Sequence, residues 1–223
     1  MIKTFDEFIK LYESHNLRTK NWRREIQMFL SERAYISERN RKHSEFEPDK
    51  INLYCFIDLS GSVNREFVYT FLKEVIGCCI EYKYNTVSVY GFGEQLTEPY
   101  KLNIDSLSLT DIDDIAVLLN QSWDFLSSQK IGDSTENFVN IAKEMYKIKM
   151  DERNAAFMIF GDGHWEDANV GPKNFKRTVD GENICVLAYY NNDDDSRFDE
   201  CIATLTDAGK LKNVITTHVK ELR

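Results

Sequence analysis

An aspartate and two serines stand at alternate positions directly after an apolar run of the chain: Asp58, Ser60 and Ser62. Their carboxylate and hydroxyl groups are hard oxygen donors, which Mg²⁺ accepts in a near-octahedral shell that keeps several waters. Zn²⁺ does not fit this donor set, because it prefers cysteine and histidine ligands. The spacing therefore predicts a partly hydrated Mg²⁺ or Mn²⁺ site. The alternative is that one serine caps the following helix and Asp58 only ends a strand.

Two other oxygen-rich segments are expected to reach the same place. Asp162 directly follows the apolar run 155–161, and Thr135 lies in the hydroxyl-containing segment 132–136 before a predicted helix. Taken alone, Thr135 would be interpreted as a helix cap. Ligands of doubly wound sheets bind at the carboxyl ends of the strands, and all three segments are expected there. Their convergence favours a metal site over three independent caps.

His164 and Trp165 follow Asp162 closely and are expected at the rim of this site. An exposed tryptophan beside a metal would anchor a partner protein, whereas the alternative is a loop tryptophan packed against a helix. A histidine in this place could suggest a hydrolase. Because Mg²⁺ prefers oxygen ligands and no nucleophile–base pair is recognisable, we expect no catalytic activity. The acidic segment 191–195 is predicted to be a solvated loop that caps the next helix.

The elements that must position these residues alternate along the chain. Apolar, β-branched runs predict buried strands, and segments with helical periodicity lie between them. The predicted strands cover 51–59, 86–93, 155–161, 183–190 and 213–218, and the predicted helices cover 64–83, 111–123, 136–149 and 196–207. Residues 96–104 are expected to form a short edge piece because of Pro99. This alternation predicts an α/β domain of Rossmann-like type, with a doubly wound, mostly parallel sheet in three layers.

Residues 1–50 are predicted to be a helical extension that packs on a domain formed by 51–223. Residues 36–50 have no periodicity and contain a proline, so they are interpreted as the connector. The stretch 18–42 carries eight Lys/Arg against three Asp/Glu, and binding of nucleic acid is the alternative to a solvated charged face. An apolar stripe at helical spacing supports packing on the domain, and it consists of Trp22, Ile26, Phe29 and Leu30.

Composition limits the classes of function. The 223 residues carry a net charge of -9, which argues against a general nucleic-acid-binding protein. No apolar run approaches the length of a membrane span, and the first twenty residues lack the apolar core of a signal peptide. The five cysteines form no C-x-x-C pair and are expected to be reduced. The cytoplasm, or the host cytoplasm for a phage-encoded protein, is therefore the predicted compartment.

The Asp-Leu-Ser-Gly-Ser segment resembles the D-x-S-x-S motif of von Willebrand factor A (VWA) domains. The metal-ion-dependent adhesion site (MIDAS) of that family adds a threonine and an aspartate from two further loops, and Thr135 and Asp162 stand in the matching order. The resemblance covers nearly all of the chain after the predicted extension. It implies direct Mg²⁺ ligation by Ser60, Ser62 and Thr135, with Asp58 and Asp162 acting through waters. It also implies an open coordination position for a carboxylate of a partner protein.

The sequence departs from the family pattern at two places. The threonine loop of the family usually reads Gly-Gly-Thr, whereas Asp133 and Ser134 precede Thr135 here, so Ser134 is the alternative ligand. Gly161 stands directly before Asp162, at a position where the family commonly has a threonine. The identity of the third hydroxyl ligand therefore stays open.

A narrower resemblance concerns segments 22–24, 29–30 and 39–42, which are similar to the lead-in of intracellular VWA-like domains in a bacterial and phage family of metallopeptidase-related proteins. No H-E-x-x-H motif is present, so peptidase activity is not implied. A frequent partner of such domains is a MoxR-type AAA ATPase, for which they serve as adaptors. We therefore expect a protein-binding module.

The alternative is a Mg²⁺-dependent hydrolase of phosphatase type, but its D-x-D-x-T/V motif would need an acid in place of Ser60.

Overall fold

A computed structural model gives the structure of the chain, and every structural statement below concerns the residues that it describes: 21–41, 51–104, 107, 112–129, 131, 138–152, 154–165, 181–191, 195–208 and 211–222. The strands in this part of the chain are β1 (Asn52–Asp58), β2 (Thr86–Phe92), β3 (Tyr100–Asn103), β4 (Ala155–Gly161), β5 (Ile184–Tyr190) and β6 (Asn213–His218). The α-helices are α1 (Trp22–Arg41), α2 (Arg65–Glu81), α3 (Ile112–Ser127), α4 (Phe138–Asp151) and α5 (Ser196–Ala203).

The strands join in one sheet with the order β3-β2-β1-β4-β5-β6. Neighbouring strands are parallel except β2 and β3, which pair antiparallel at one edge. Pro99 stands directly before β3, where the missing backbone N–H of proline is tolerated because the strand lies at an edge. The predicted class, a doubly wound and mostly parallel α/β sheet, is confirmed.

Helices cover both faces of this sheet, which explains the near-continuous apolar sequence of the central strands. Successive residues of β1 alternate between two cores: Leu53 and Cys55 join the core beneath α1, α2 and α3, whereas Tyr54 and Phe56 join the core beneath α4 and α5. The described residues thus form three layers, helix on sheet on helix. None of the described helices combines the length and the apolar character needed to cross a membrane.

Helix α1 packs its apolar side into the first of these cores. The Trp22 indole Nε1 donates a hydrogen bond to the backbone oxygen of Glu221 at 2.9 Å, and the Tyr84 hydroxyl donates to the backbone oxygen of Leu30 at 3.0 Å. These bonds connect the helix to the segment just before β2 and to the end of the described chain. The buried side chains that α1 contributes are Trp22, Ile26, Phe29 and Leu30.

The end of α1 corrects one boundary. The helix continues to Arg41, so the prediction that a connector begins at residue 36 is wrong over its first six residues. The physical reason is that this stretch contains neither proline nor glycine, and its polar residues are compatible with a helix. Residues 1–20 and 42–50 lie outside the described part of the chain, and the division of the chain at residue 50 stays a prediction.

The ends of two other helices are set by side chains and by a change of hydrogen-bonding pattern. Helix α2 begins after Asn64, whose side-chain oxygen accepts a hydrogen bond from the Glu66 backbone nitrogen at 2.7 Å. Such a cap satisfies a backbone donor that the first helical turn leaves free. The predicted helix 196–207 is observed as α5 followed by a π-helical turn at Thr204–Ala208.

Candidate metal centre

Asp58 and Asp162 both stand at the carboxyl edge of the sheet. Asp58 is the last residue of β1, and Asp162 directly follows β4. The two strands are parallel neighbours in which Ile57 is aligned with Phe160, so the two carboxylates leave adjacent strands at nearly the same level. The strand order also reverses between β1 and β4, and ligands of doubly wound folds bind in the crevice at such a reversal.

The loop after β1 is folded so that its two serine hydroxyls come together. The Asp58 Oδ1 accepts a hydrogen bond from the Ser60 backbone nitrogen at 2.8 Å, and the Ser60 backbone oxygen accepts one from the Val63 nitrogen at 3.0 Å. The Tyr189 hydroxyl donates to the backbone oxygen of Ser62 at 3.3 Å and holds the far side of the turn. As a result, the hydroxyl oxygens of Ser60 and Ser62 lie 2.9 Å apart and share a hydrogen bond.

This separation fits a Mg²⁺ shell. Two ligands at adjacent corners of an octahedron, each about 2.0–2.1 Å from the ion, lie about 2.8–3.0 Å apart. Ser62 is exposed on one side and Ser60 is half-buried, so an ion can reach both hydroxyls from solvent. The described residues hold no group of three or more His, Cys, Asp or Glu side chains that could bind a metal, so the hydroxyls are essential to this fit.

The Asp58 side chain is fully buried and is oriented by two N–H donors. Besides the Ser60 bond to Oδ1, its Oδ2 accepts a hydrogen bond from the Trp165 indole Nε1 at 3.0 Å. Gly161 makes room for this arrangement, because a Cβ at that position would lie 2.7 Å from the Cβ and Oδ2 of Asp58 and 3.0 Å from Cζ2 of Trp165. A larger residue at 161 would therefore displace the carboxylate or the indole.

Trp165 corrects the predicted rim. Its side chain is only 1% exposed, so the expectation of an exposed aromatic anchor is wrong. The indole packs against the Phe138 ring of α4, with ring centroids 4.8 Å apart, and the backbone oxygen of Trp165 accepts a hydrogen bond from the Cys201 thiol of α5 at 3.5 Å. The physical reason is that two helices on one face of the sheet enclose the residue, as the alternative interpretation had it.

His164 does stand at the surface, with about a third of its side chain exposed. Its backbone nitrogen donates to Oδ1 of Asp162 at 3.1 Å, and its Nε2 lies 2.7 Å from Oδ2 of Asp195. Asp195 also caps α5 by accepting a hydrogen bond from the Phe198 nitrogen at 3.1 Å, as the acidic segment predicted. The Phe198 N–H and then the His164 side chain lower the pKa of Asp195 below its ordinary value.

The structure describes only some of the residues that the sequence predicts for this site. Thr135, and its alternative Ser134, lie outside the described residues, so their part in the site stays a prediction. Gly161 and Tyr189 adjoin the candidate site, and the sequence did not single them out as candidate site residues. The only signal for Gly161 was its departure from the family pattern, and nothing in the sequence connects Tyr189 with the serine loop.

Comparisons with known proteins show similarity of fold. No protein-family model and no curated protein matches the sequence. Among solved structures, the chain is similar to BatB, a conserved hypothetical protein from Bacteroides thetaiotaomicron, at 11% identity and a TM-score of 0.46, over 76% of this chain and 90% of that one. It is similar to proximal thread matrix protein 1 from the mussel byssus at 12% identity and a TM-score of 0.43, over 75% of this chain and 41% of that one.

A third similar structure is the VWA domain of SpRpn10, at 10% identity and a TM-score of 0.40, over 76% of this chain and 88% of that one. At these levels of identity the likeness concerns the fold alone. The fold class of the present chain rests on its own sheet topology, with the antiparallel edge strand and the reversal between β1 and β4.

Proposed function

We propose that the protein is a VWA-like protein-binding module that holds Mg²⁺ or Mn²⁺ at a MIDAS-type site. The observation that carries this proposal is the pair of serine hydroxyls, Ser60 and Ser62, held 2.9 Å apart at the carboxyl edge of the sheet. The separation matches two adjacent ligands of an octahedral ion. The D-x-S-x-S spacing and the neighbouring Asp162 support the same interpretation.

In this proposal Ser60, Ser62 and Thr135 bind the ion directly, whereas Asp58 and Asp162 act through waters. The Asp58 carboxylate is buried and already accepts an N–H hydrogen bond at each oxygen, which supports an indirect role. A dication close to only two carboxylates keeps a favourable interaction with an incoming anion. A carboxylate of the partner would therefore complete the metal shell, and the partly exposed His164 lies at the rim of that contact.

The proposed partner is a protein, and the family resemblance favours a MoxR-type AAA ATPase for which this chain would be an adaptor. The proposal includes no catalytic turnover. It also places the protein in the cytoplasm, because all five cysteines are free and buried, which suits a reducing compartment.

Metal binding is tested by calorimetric titration of Mg²⁺ and Mn²⁺ into the wild type and three variants. Ser60→Ala and Ser62→Ala should each raise the Kd by roughly tenfold or more, because mutations in and around a metal shell commonly have effects of this size. Ser128→Ala is the matched control, since Ser128 is an exposed serine away from the site whose hydroxyl makes one hydrogen bond, to the Phe125 backbone oxygen at 2.8 Å. Absence of metal binding by the wild type, or equal affinity in all four proteins, would reject the site.

Partner recognition is tested by co-purification from the native host with and without EDTA. The bound protein should be lost on chelation and in Ser60→Ala, and retained by Ser128→Ala. Binding that persists in EDTA would place the contact elsewhere on the domain. Metal-dependent hydrolysis of phosphate esters, lost in Asp162→Ala, would instead identify an enzyme, and salt-dependent retention on DNA would favour the basic helix as a nucleic-acid site.

A further inference from the structure

The buried indole of Trp165 fills space and also donates a hydrogen bond to the Asp58 carboxylate. From its bond to the buried carboxylate we infer that Trp165 is a positioning residue of the metal centre, which fixes the orientation of Asp58 and thereby of the serine loop. This inference rests on the proposed function, because it concerns the same metal site.

The contacts form a continuous path from the indole to the hydroxyls. The Trp165 Nε1 donates to Oδ2 of Asp58 at 3.0 Å, and Oδ1 of the same carboxylate accepts from the Ser60 backbone nitrogen at 2.8 Å. A carboxylate held at both oxygens cannot rotate without breaking one of these bonds. The Ser60 N–H belongs to the turn that sets the 2.9 Å separation of the Ser60 and Ser62 hydroxyls. Loss of the indole bond would therefore loosen the pair of ligands.

The indole itself is held firmly enough to serve as a reference point. It is 1% exposed, and its ring packs against the Phe138 ring at a centroid distance of 4.8 Å. The backbone oxygen of the same residue accepts a hydrogen bond from the Cys201 thiol at 3.5 Å. Gly161 leaves room for the bond between the indole and Asp58, because any Cβ at position 161 would fall within 3.0 Å of both side chains. The glycine that departs from the family pattern is thus matched to the tryptophan.

The chemistry of the donor suits a cation site. An indole N–H is neutral, so it orients the carboxylate without cancelling its negative charge, whereas a lysine or arginine would pair with it and compete with the ion. Orientation also affects the choice of metal. Mg²⁺ demands near-ideal octahedral geometry, while Ca²⁺ tolerates irregular shells. A loosened carboxylate should therefore weaken Mg²⁺ binding more than Ca²⁺ binding.

The test compares Trp165→Phe with Trp22→Phe in the full chain. Both tryptophans are 1% exposed and both lose one indole hydrogen bond, but only Trp165 contacts the site. Calorimetric titrations are done at a temperature at which near-UV circular dichroism shows both variants folded. Trp165→Phe should raise the Mg²⁺ Kd by about 10–100-fold and lower the preference for Mg²⁺ over Ca²⁺, while Trp22→Phe should change neither.

Two outcomes overturn the inference in distinguishable ways. If the wild type binds neither Mg²⁺ nor Mn²⁺, the proposed function fails and the positioning role fails with it. If the wild type binds but Trp165→Phe has an unchanged Kd and metal preference, the site stands and the positioning role is wrong. Should Trp165→Phe not fold, the indole N–H resonance of Trp165 in the wild type decides: it should shift on Mg²⁺ saturation while that of Trp22 does not, and an unmoved Trp165 resonance refutes the role.

Discussion

Substitution of Gly163 by alanine should destabilise the fold, because two independent features of the structure require a glycine there. Gly163 has a φ of +78°, in the left-handed region that residues with a Cβ avoid. A Cβ at this position would also lie 2.5 Å from Cε2 and 2.6 Å from Cδ2 of Phe198. Phe198 is 5% exposed and packs against Tyr190, with ring centroids 5.2 Å apart, so it has little room to retreat.

The expected magnitude follows from these two features. The left-handed conformation costs a residue with a Cβ about 1–2 kcal/mol. Forcing an extra carbon into a filled core typically costs about 1–3 kcal/mol more. Gly163→Ala should therefore lower the free energy of unfolding by about 2–5 kcal/mol, a large part of the about 5–15 kcal/mol that stabilises a typical domain.

Urea unfolding followed by far-UV circular dichroism measures this change, and Gly77→Ala provides the control. Gly77 lies inside α2, where an added Cβ would meet no atom within 4 Å, and it has no positive φ. The same chemical change should there raise the free energy of unfolding by about 0.5–1 kcal/mol, because alanine is the better helix former. The two Gly→Ala substitutions should thus differ in sign.

The steric part can be isolated in a Phe198→Ala background. Alanine removes both ring atoms that the new methyl group would meet, so Gly163→Ala should cost only about 1–2 kcal/mol there, the cost of the left-handed conformation. An unchanged cost in this background would show that Phe198 is not the obstacle. A Gly163→Ala protein as stable as the wild type would refute the whole argument.

Three further predictions concern stability and reactivity. Trp165→Phe should lower the free energy of unfolding more than Trp22→Phe, since a hydrogen bond to a carboxylate contributes about 1.5–3 kcal/mol and one to a backbone oxygen about 0.5–1.5 kcal/mol. Urea unfolding without metal measures both losses, and equal losses would contradict this prediction. Because the native pKa of Asp195 is lowered from 3.8, its charge stabilises the fold above that pH and the contribution is lost as the pH falls through the native pKa. Asp195→Asn, which keeps the capping oxygen, should therefore be less stable at neutral pH and converge with the wild type in acid; a constant difference would contradict this. Burial raises the pKa of Cys78 to about 12, so labelling of the native thiols by an aromatic disulfide should proceed only at the rate of unfolding, and rapid labelling of the folded protein would contradict the buried positions.

The sheet could be predicted closely because its signals are local. The bounds of β4 and β6 agree with the predicted runs 155–161 and 213–218, since short apolar or β-branched segments bounded by polar residues leave little choice of register. The end of α1 was less predictable. Its residues after 36 carry no apolar period, and only the absence of a helix breaker allows the helix to continue to Arg41.

The site divides in the same way between local and tertiary information. The turn around Ser60 is held by a bond to Asp58 two residues away, so it depends on residues that are neighbours in the sequence. The burial of Trp165 depends on Phe138 and Cys201, which belong to two helices distant in the sequence. The residues next to Trp165 in the sequence do not indicate these contacts. The need for glycine at 161 likewise arises from a neighbouring strand rather than from a turn.

The hydrogen bond between Trp22 and Glu221 spans 199 positions of the chain, and it has a consequence for biosynthesis. A nascent chain leaves the ribosome from its N-terminal side, so α1 is exposed long before the backbone oxygen at position 221 exists. Until then the apolar side of the helix cannot complete its contacts, and closing so long a loop carries an entropic cost that local contacts do not offset. Docking of α1 is therefore expected to be a late event in folding.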